Sequence, residues 1–208
     1  MAVRVLSAPN VTPCVMVRCR TRSCWAACLS LSKPHDSFTR VAHYSTMGEF
    51  ADDVVVRLKN RLERETTSHD WQTEYRISGT PVDLAGISTD SHVLIELEWR
   101  RADPADNTAK IFRHLCDSSS VTDSITVFQL FTNYYDLAST GVSSKRKNAE
   151  FVGSVASESL NKLKYVPIGF EIEPPKAGER RPPKWEETTD SVATEISNII
   201  NRSASQLG

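Results

Sequence analysis

The chain has 208 residues, of which 39% are hydrophobic and 25% charged, with a formal net charge of −1. This length supports one domain with a real core and is marginal for two. No stretch reaches the roughly 18 apolar residues that span a membrane, and the near-zero charge excludes a global basic field that would draw in a polyanion.

The charge is unevenly spread. Residues 1–46 hold six of the 25 Lys and Arg residues and one of the 26 acids, which leaves 19 basic against 25 acidic residues, a net of −6, from Met47 onward. The same segment carries Cys14, Cys19, Cys24 and Cys28, and it shows no helical or strand periodicity. Three readings fit it. Its Cys-x4-Cys-x4-Cys-x3-Cys spacing would serve zinc, although structural sites use tighter pairs. Its Arg-rich, acid-poor composition suits an organellar transit peptide. The missing periodicity favours the third, a disordered or non-native leader, with residues 47–208 forming a single domain. The remaining Cys116 ends an apolar helix face and is expected to be a small core residue. A body with one cysteine fits a reducing, cytoplasmic setting.

From Met47 to about Glu65, Phe50, Val54, Val55, Leu58 and Leu62 fall on one face of a helix. Three strand-like runs follow, Trp71–Ser78, Val82–Ile87 and His92–Trp99, separated by turn residues at 79–81 and 88–91, and they predict an antiparallel meander. Asp103-Pro104-Ala105-Asp106 opens a second helix bearing Thr108, Ile111, Phe112 and Leu115 on one face, with Asn107, Lys110 and His114 on another. Ile125–Tyr135 is nearly continuous apolar and aromatic, the pattern of a central strand covered on both faces. A long helix is expected over Ser144–Lys164 with Val152, Val155, Ala156, Leu160 and Leu163 as its buried stripe, then a strand over Tyr165–Ile172. A Pro-rich basic loop at 174–184 leads to a C-terminal helix at 186–202. The order α-β-β-β-α-β-α-β-α predicts an α/β (α+β) fold, a sheet flanked by helices.

One feature carries chemistry. Glu96-Leu97-Glu98 closes the apolar run Val93-Leu94-Ile95, and alternation along a strand sends Glu96 and Glu98 to one face. Two carboxylates on an otherwise hydrophobic strand are costly to bury unless a cation sits between them. Asp83, from the neighbouring strand, adds a third acid. A hard divalent cation such as magnesium, with manganese as an alternative, takes one or two carboxylates plus waters and leaves room for a phosphate oxygen. Glu98, one pleat beyond Glu96, is placed to orient an attacking water or bind a second ion. The competing reading, a solvated acidic stripe, is opposed by the apolar residues that precede it.

Pro81-Val82-Asp83 followed by Ile95-Glu96-Leu97-Glu98 resembles the motif of the PD-(D/E)XK nuclease superfamily, the restriction-endonuclease-like fold. The resemblance covers roughly residues 48–173, where the helix–meander–helix–strand order also matches. It implies a mixed central sheet flanked by helices and a magnesium-dependent endonuclease of restriction or defence type that hydrolyses phosphodiester bonds in DNA, with RNA left open. It also implies a possible homodimer, because cutting both strands usually takes two active sites. Carried over by position, Asp83 and Glu96 are the metal ligands, assisted by the Leu97 carbonyl. Glu98 stands where a lysine is usual, as it does in a minority of active restriction endonucleases. Lys110 on the following helix is a substitute candidate, since the catalytic lysine migrates within the superfamily.

Arg100 and Arg101, next to the acids, suit bidentate phosphate contacts or ion pairs with nearby acids. Lys145, Arg146 and Lys147 at a helix start are further nucleic-acid-binding candidates, as are Lys162, Lys164, Arg180, Arg181 and Lys184, although such clusters are often solvated surface. His69, His92 and His114 lack metal-ligand spacing, and no Gly-rich phosphate loop or nucleophile elbow is present. The missing lysine keeps open a catalytically inactive nucleic-acid-binding or assembly module. A protein-interaction domain with zinc on the N-terminal cysteines is a third possibility.

Overall fold

In the first helix, α1 (Met47–Glu65), Phe50, Val54, Leu58 and Leu62 recur every four residues and are all buried. The computed structural model of the chain describes residues 47–117, 124–139, 141–176 and 178–205. The leader expected over 1–46, with its four cysteines, lies outside them. After α1 come β1 (Asp70–Ile77), β2 (Thr80–Ile87) and β3 (Ser91–Glu98), an antiparallel meander as the alternation predicts. Ser78 and Gly79, both at positive φ, form the two-residue turn that joins β1 to β2 with Ile77 opposite Thr80.

Pro104, whose missing N–H costs nothing in a first turn, starts α2 (Pro104–Asp117), and the Asp103 carboxylate accepts the Asp106 N–H at 3.1 Å. The apolar run expected as a central strand over Ile125–Tyr135 is β4 (Ser124–Thr132), its last three residues turning away as a 3-10 turn. It pairs in parallel with β3 on one side and with β7 (Leu163–Phe170) on the other. Between β4 and β7 lie a 3-10 turn (Asn133–Tyr135), a small hairpin of β5 (Asp136–Leu137) and β6 (Gly141–Val142), and α3 (Ser144–Ser159). The chain closes on α4 (Trp185–Ala204).

The result is a five-stranded mixed sheet, order β1-β2-β3-β4-β7, flanked by helices, a restriction-endonuclease-like α+β arrangement. Strand alternation divides the core. Val93, Ile95 and Leu97 join the cluster under α1 and α4, with Phe50, Leu58, Val192 and Ile196. Leu94, Val127 and Leu163 pack under α2 and α3 with Ile111 and Phe112. Among the described residues no helix is long and apolar enough to cross a membrane.

Three sequence expectations are corrected. The third helix ends at Ser159, not Lys164: the Leu160 N–H still reaches Ala156, but the chain then turns so that Leu163 pairs with Ile125. Ser157 secures that turn, donating to the Leu163 carbonyl at 3.1 Å and accepting the Tyr165 N–H at 3.2 Å. Of the expected stripe, Val152, Ala156 and Leu160 do pack against the core and Ala149 and Gly153 are buried beside them, but Val155 is exposed, as is Phe151. Cys116 is also exposed rather than in the core, because α2 buries Ile111 and Phe112 one turn earlier.

Candidate active site

Both ladders that flank β2 skip Asp83. On one side, pairing passes from Thr73–Leu84 to Tyr75–Val82, and the residue between them on β1, Glu74, adopts a left-handed backbone at φ 52°. On the other side, the β2–β3 ladder ends at Leu84–Ile95, one step before Glu96. The Asp83 side chain takes over from the missing backbone partner, its Oδ2 accepting the Leu97 N–H at 2.7 Å. Asp83 therefore lies where β2 leaves β3, beside Glu96 and Glu98, while β3 itself continues to pair with β4 through Glu98.

Glu96 and Glu98 share a face, as alternation requires, and both are almost wholly buried. Asn107, in the first turn of α2, bridges them: its Nδ2 donates to Glu96 Oε1 at 2.6 Å and to Glu98 Oε1 at 2.9 Å. Gln129, on β4 directly across from Glu96, adds a second donor to Glu98 Oε1 at 2.8 Å. Its amide is oriented from behind, since Gln129 Oε1 accepts from Thr108 Oγ1 at 3.0 Å and from Tyr165 OH at 2.7 Å. One oxygen of each glutamate is thus held in place. The other two, Glu96 Oε2 and Glu98 Oε2, are buried with no hydrogen-bond partner.

Arg101 is the cation at this site. Its guanidinium, half exposed, lies 3.3 Å from Glu96 Oε1 and 3.4 Å from Glu98 Oε2. The backbone beneath it is tied to β4 and the turn after it: Thr132 Oγ1 donates to the Trp99 carbonyl at 2.6 Å, and Tyr135 OH to the Arg101 carbonyl at 3.1 Å. One guanidinium does not offset three carboxyls. Burial pushes the Glu96 carboxyl up to about 8, the Asp83 charge adds to the rise, and the Asn107 hydrogen bond opposes it. Burial likewise raises Glu98 and Asp83 above the usual carboxylate range, against the hydrogen bonds from Asn107 and Gln129 in the one case and from Leu97 in the other.

The donor set suits a hard divalent cation: carboxylate oxygens, buried, with Glu96 Oε2 and Glu98 Oε2 lacking hydrogen bonds and only Arg101 facing the latter. Among the described residues no three His, Cys, Asp or Glu side chains form a ready-made cage. A magnesium ion held by one or two carboxylates and waters does not require one.

The other sequence candidates are spread around this end of the sheet. Lys110 is half exposed and pairs with Asp106 one turn back at 2.5 Å, not with the glutamates. Arg100 donates to the Pro174 carbonyl at 2.6 Å, approaches Glu173 at 3.4 Å and lies over the Tyr134 ring. Lys145 covers the same ring, Lys147 is exposed, and Arg146 is fixed by Glu150 at 2.7 Å and Asp136 at 3.4 Å. Sequence reasoning misses Asn107, Gln129 and Tyr165 as parts of the site. A signal for Gln129 exists: it is the one amide inside Ile125–Leu130, and a buried amide must find partners.

No family model and no curated protein matches this chain. Among solved structures it is similar to a repair endonuclease from Pyrococcus abyssi, with 17% identity and a TM-score of 0.34. The match covers 63% of this chain and 48% of that one, so the chain spans about half the length of that endonuclease. A likeness this slight carries no argument, and the function is inferred from the geometry of the site alone.

Proposed function

We propose that this chain is a divalent-metal-dependent nuclease that hydrolyses phosphodiester bonds in DNA, an endonuclease of restriction or defence type. The observation that carries the reading is the pair of buried carboxylate oxygens, Glu96 Oε2 and Glu98 Oε2, left without hydrogen bonds beside Asp83. Buried polar atoms in folded proteins nearly all make hydrogen bonds, so these two oxygens call for a water or an ion to complete them.

In this reading Asp83 and Glu96 hold a magnesium or manganese ion. When bound, the ion supplies a Lewis acid that eases deprotonation of water and offsets charge gathering on the phosphate. Glu98 Oε2 accepts a proton from the attacking water and aims it, while Asn107 and Gln129 keep Oε1 fixed. Arg101 clamps a phosphate oxygen through its planar fork. Lys145 and Lys147, on the first turn of α3, extend the contact along the backbone of the nucleic acid, a contribution that weakens with salt. Asn107 and Gln129 are positioning residues and Lys110 has no part.

Plasmid cleavage with magnesium or manganese, compared between the full chain and its Glu96→Ala and Asp83→Asn variants, tests this. The expected outcome is nicking or linearisation by the parent and loss by both variants. Cutting that survives both substitutions eliminates the site. A second reading, an inactive nucleic-acid-binding module, is favoured by one observation: Arg101 already spans the two glutamates. Calorimetry separates the two, because the inactive module binds DNA and takes up no magnesium or manganese at millimolar concentrations.

A further inference from the structure

We propose that Arg101 is a displaceable internal counter-ion: it occupies the Glu96–Glu98 pair in the metal-free protein and is released toward the substrate phosphate when a divalent ion binds. This rests on the metal-dependent reading of the site and concerns how that same site is kept and opened.

The geometry is that of an occupant rather than a permanent clamp. Committed guanidinium–carboxylate pairs settle at roughly 2.7–2.9 Å in fork-to-fork contact. Arg101 instead stretches across two different carboxylates, Nη2 to Glu96 at 3.3 Å and Nε to Glu98 at 3.4 Å. It leaves Glu96 Oε2 and Glu98 Oε2 without a hydrogen bond. The carboxylates are 3% and 0% exposed while the Arg101 side chain is 49% exposed, so the partners are fixed and the arginine has open space to move into. Its backbone carbonyl is tethered by Tyr135, just beyond the end of β3. The side chain can therefore swing without disturbing the strand that carries the acids.

A residue absent from the family's pattern gains a reason in this way. Glu98 replaces the usual lysine, which removes one positive charge from the site and adds a negative one. Arg101, three residues on, restores a cation where the pair would otherwise be buried bare. If arginine and ion substitute for each other, linkage requires each to weaken the other's hold by the same factor.

Manganese titrations into the full chain, its Arg101→Ala variant and its Arg101→Lys variant, read by calorimetry and by thermal melting at low and high salt, test the proposal. Arg101→Ala is expected to bind manganese about fivefold to tenfold more tightly than the parent. Without metal it melts below the parent, and saturating manganese brings the two melting temperatures together. Arg101→Lys keeps the charge without the fork and falls between them in both readouts. It also serves as the decisive comparison should Arg101→Ala not fold. Equal manganese affinity in parent and variants overturns the proposal, as does a melting deficit unchanged by manganese. An affinity difference that vanishes at high salt also overturns it, since that marks a long-range field rather than direct displacement. If neither parent nor variants bind manganese, the metal-dependent reading itself falls, a result distinct from equal binding by all of them.

Discussion

Gln129 on β4 donates its Nε2 to Glu98 Oε1 on β3, 2.8 Å across the parallel ladder, so the strand that carries the acids is joined to its neighbour through the site itself. The amide has no freedom to flip, because its own oxygen accepts hydroxyl protons from Thr108 and Tyr165. Gln129→Ala would strip one donor from a buried carboxylate and leave two hydroxyls without this acceptor. The expected loss is about 2–3 kcal/mol of stability, measured as a lowered urea midpoint with an unchanged slope. Tyr165→Phe removes one anchor only and is expected to cost about 1 kcal/mol. A Gln129→Ala midpoint equal to the parent's would show that water replaces the network without loss.

Gly153 ties α3 to the same network. Its backbone lies against the Tyr165 ring, so a Cβ at 153 would overlap the ring atoms. Tyr165 cannot yield without withdrawing its hydroxyl from Gln129. Gly153→Ala gains helix propensity yet is expected to destabilise by about 1–3 kcal/mol through overpacking. Cleavage by the folded fraction should fall as well, since Glu98 loses its indirect support. Denaturant melting together with plasmid cleavage checks both. A variant more stable than the parent would mean that the helix shifts to accommodate the methyl group.

Sequence is most informative in this chain where a period or a register carries the information. The meander over 70–98 and the shared face of Glu96 and Glu98 follow from alternation, and the structure has both. The end of α3 is not legible that way. Helical spacing runs on through Leu160 and Leu163, and only pairing with β4, a partner distant in sequence, pulls Leu163 into a strand. Periodicity places Asn107 off the buried face of α2, but the two glutamates make burial of an amide favourable there. The partner of Arg101 is undecided from sequence for a similar reason. Whether an arginine beside several acids binds one or another depends on where β3 ends, and that is a tertiary fact.

Asp83 has two jobs that a suitable pair of substitutions separates. As an acceptor it satisfies the Leu97 N–H where the β2–β3 ladder has ended. As a carboxylate it contributes charge beside Glu96 and helps to raise the Glu96 carboxyl. Asp83→Asn keeps an oxygen acceptor and removes the charge, while Asp83→Ala removes both. Asp83→Ala is expected to lose about 1–2 kcal/mol relative to Asp83→Asn, and both should be equally unable to cleave DNA. Chemical denaturation and a cleavage assay on the two proteins decide the matter. Cleavage retained by Asp83→Asn would mean that the carboxylate is structural only.

The raised Glu96 carboxyl makes stability depend on pH in an unusual direction. Its ordinary value is 4.5 and burial lifts it to about 8 in the folded chain. Across that window the native state holds a proton that the unfolded state has released, so unfolding becomes easier as pH rises and levels off above the folded value. Glu98 and Asp83, also raised, act with the same sign. The metal-free protein is therefore expected to have a higher urea midpoint at about pH 5.5 than at about pH 8.5, with a slope no steeper than about 1.4 kcal/mol per pH unit for each group. Glu96→Gln, neutral at every pH and still able to accept from Asn107, should flatten much of the profile and exceed the parent's stability at the alkaline end. Saturating magnesium should flatten it too, by favouring the ionised carboxylates in the native state. A parent midpoint that stays level or climbs over that range would mean the carboxylates are solvated in the metal-free protein, and a buried site at Glu96 and Glu98 would have to be abandoned.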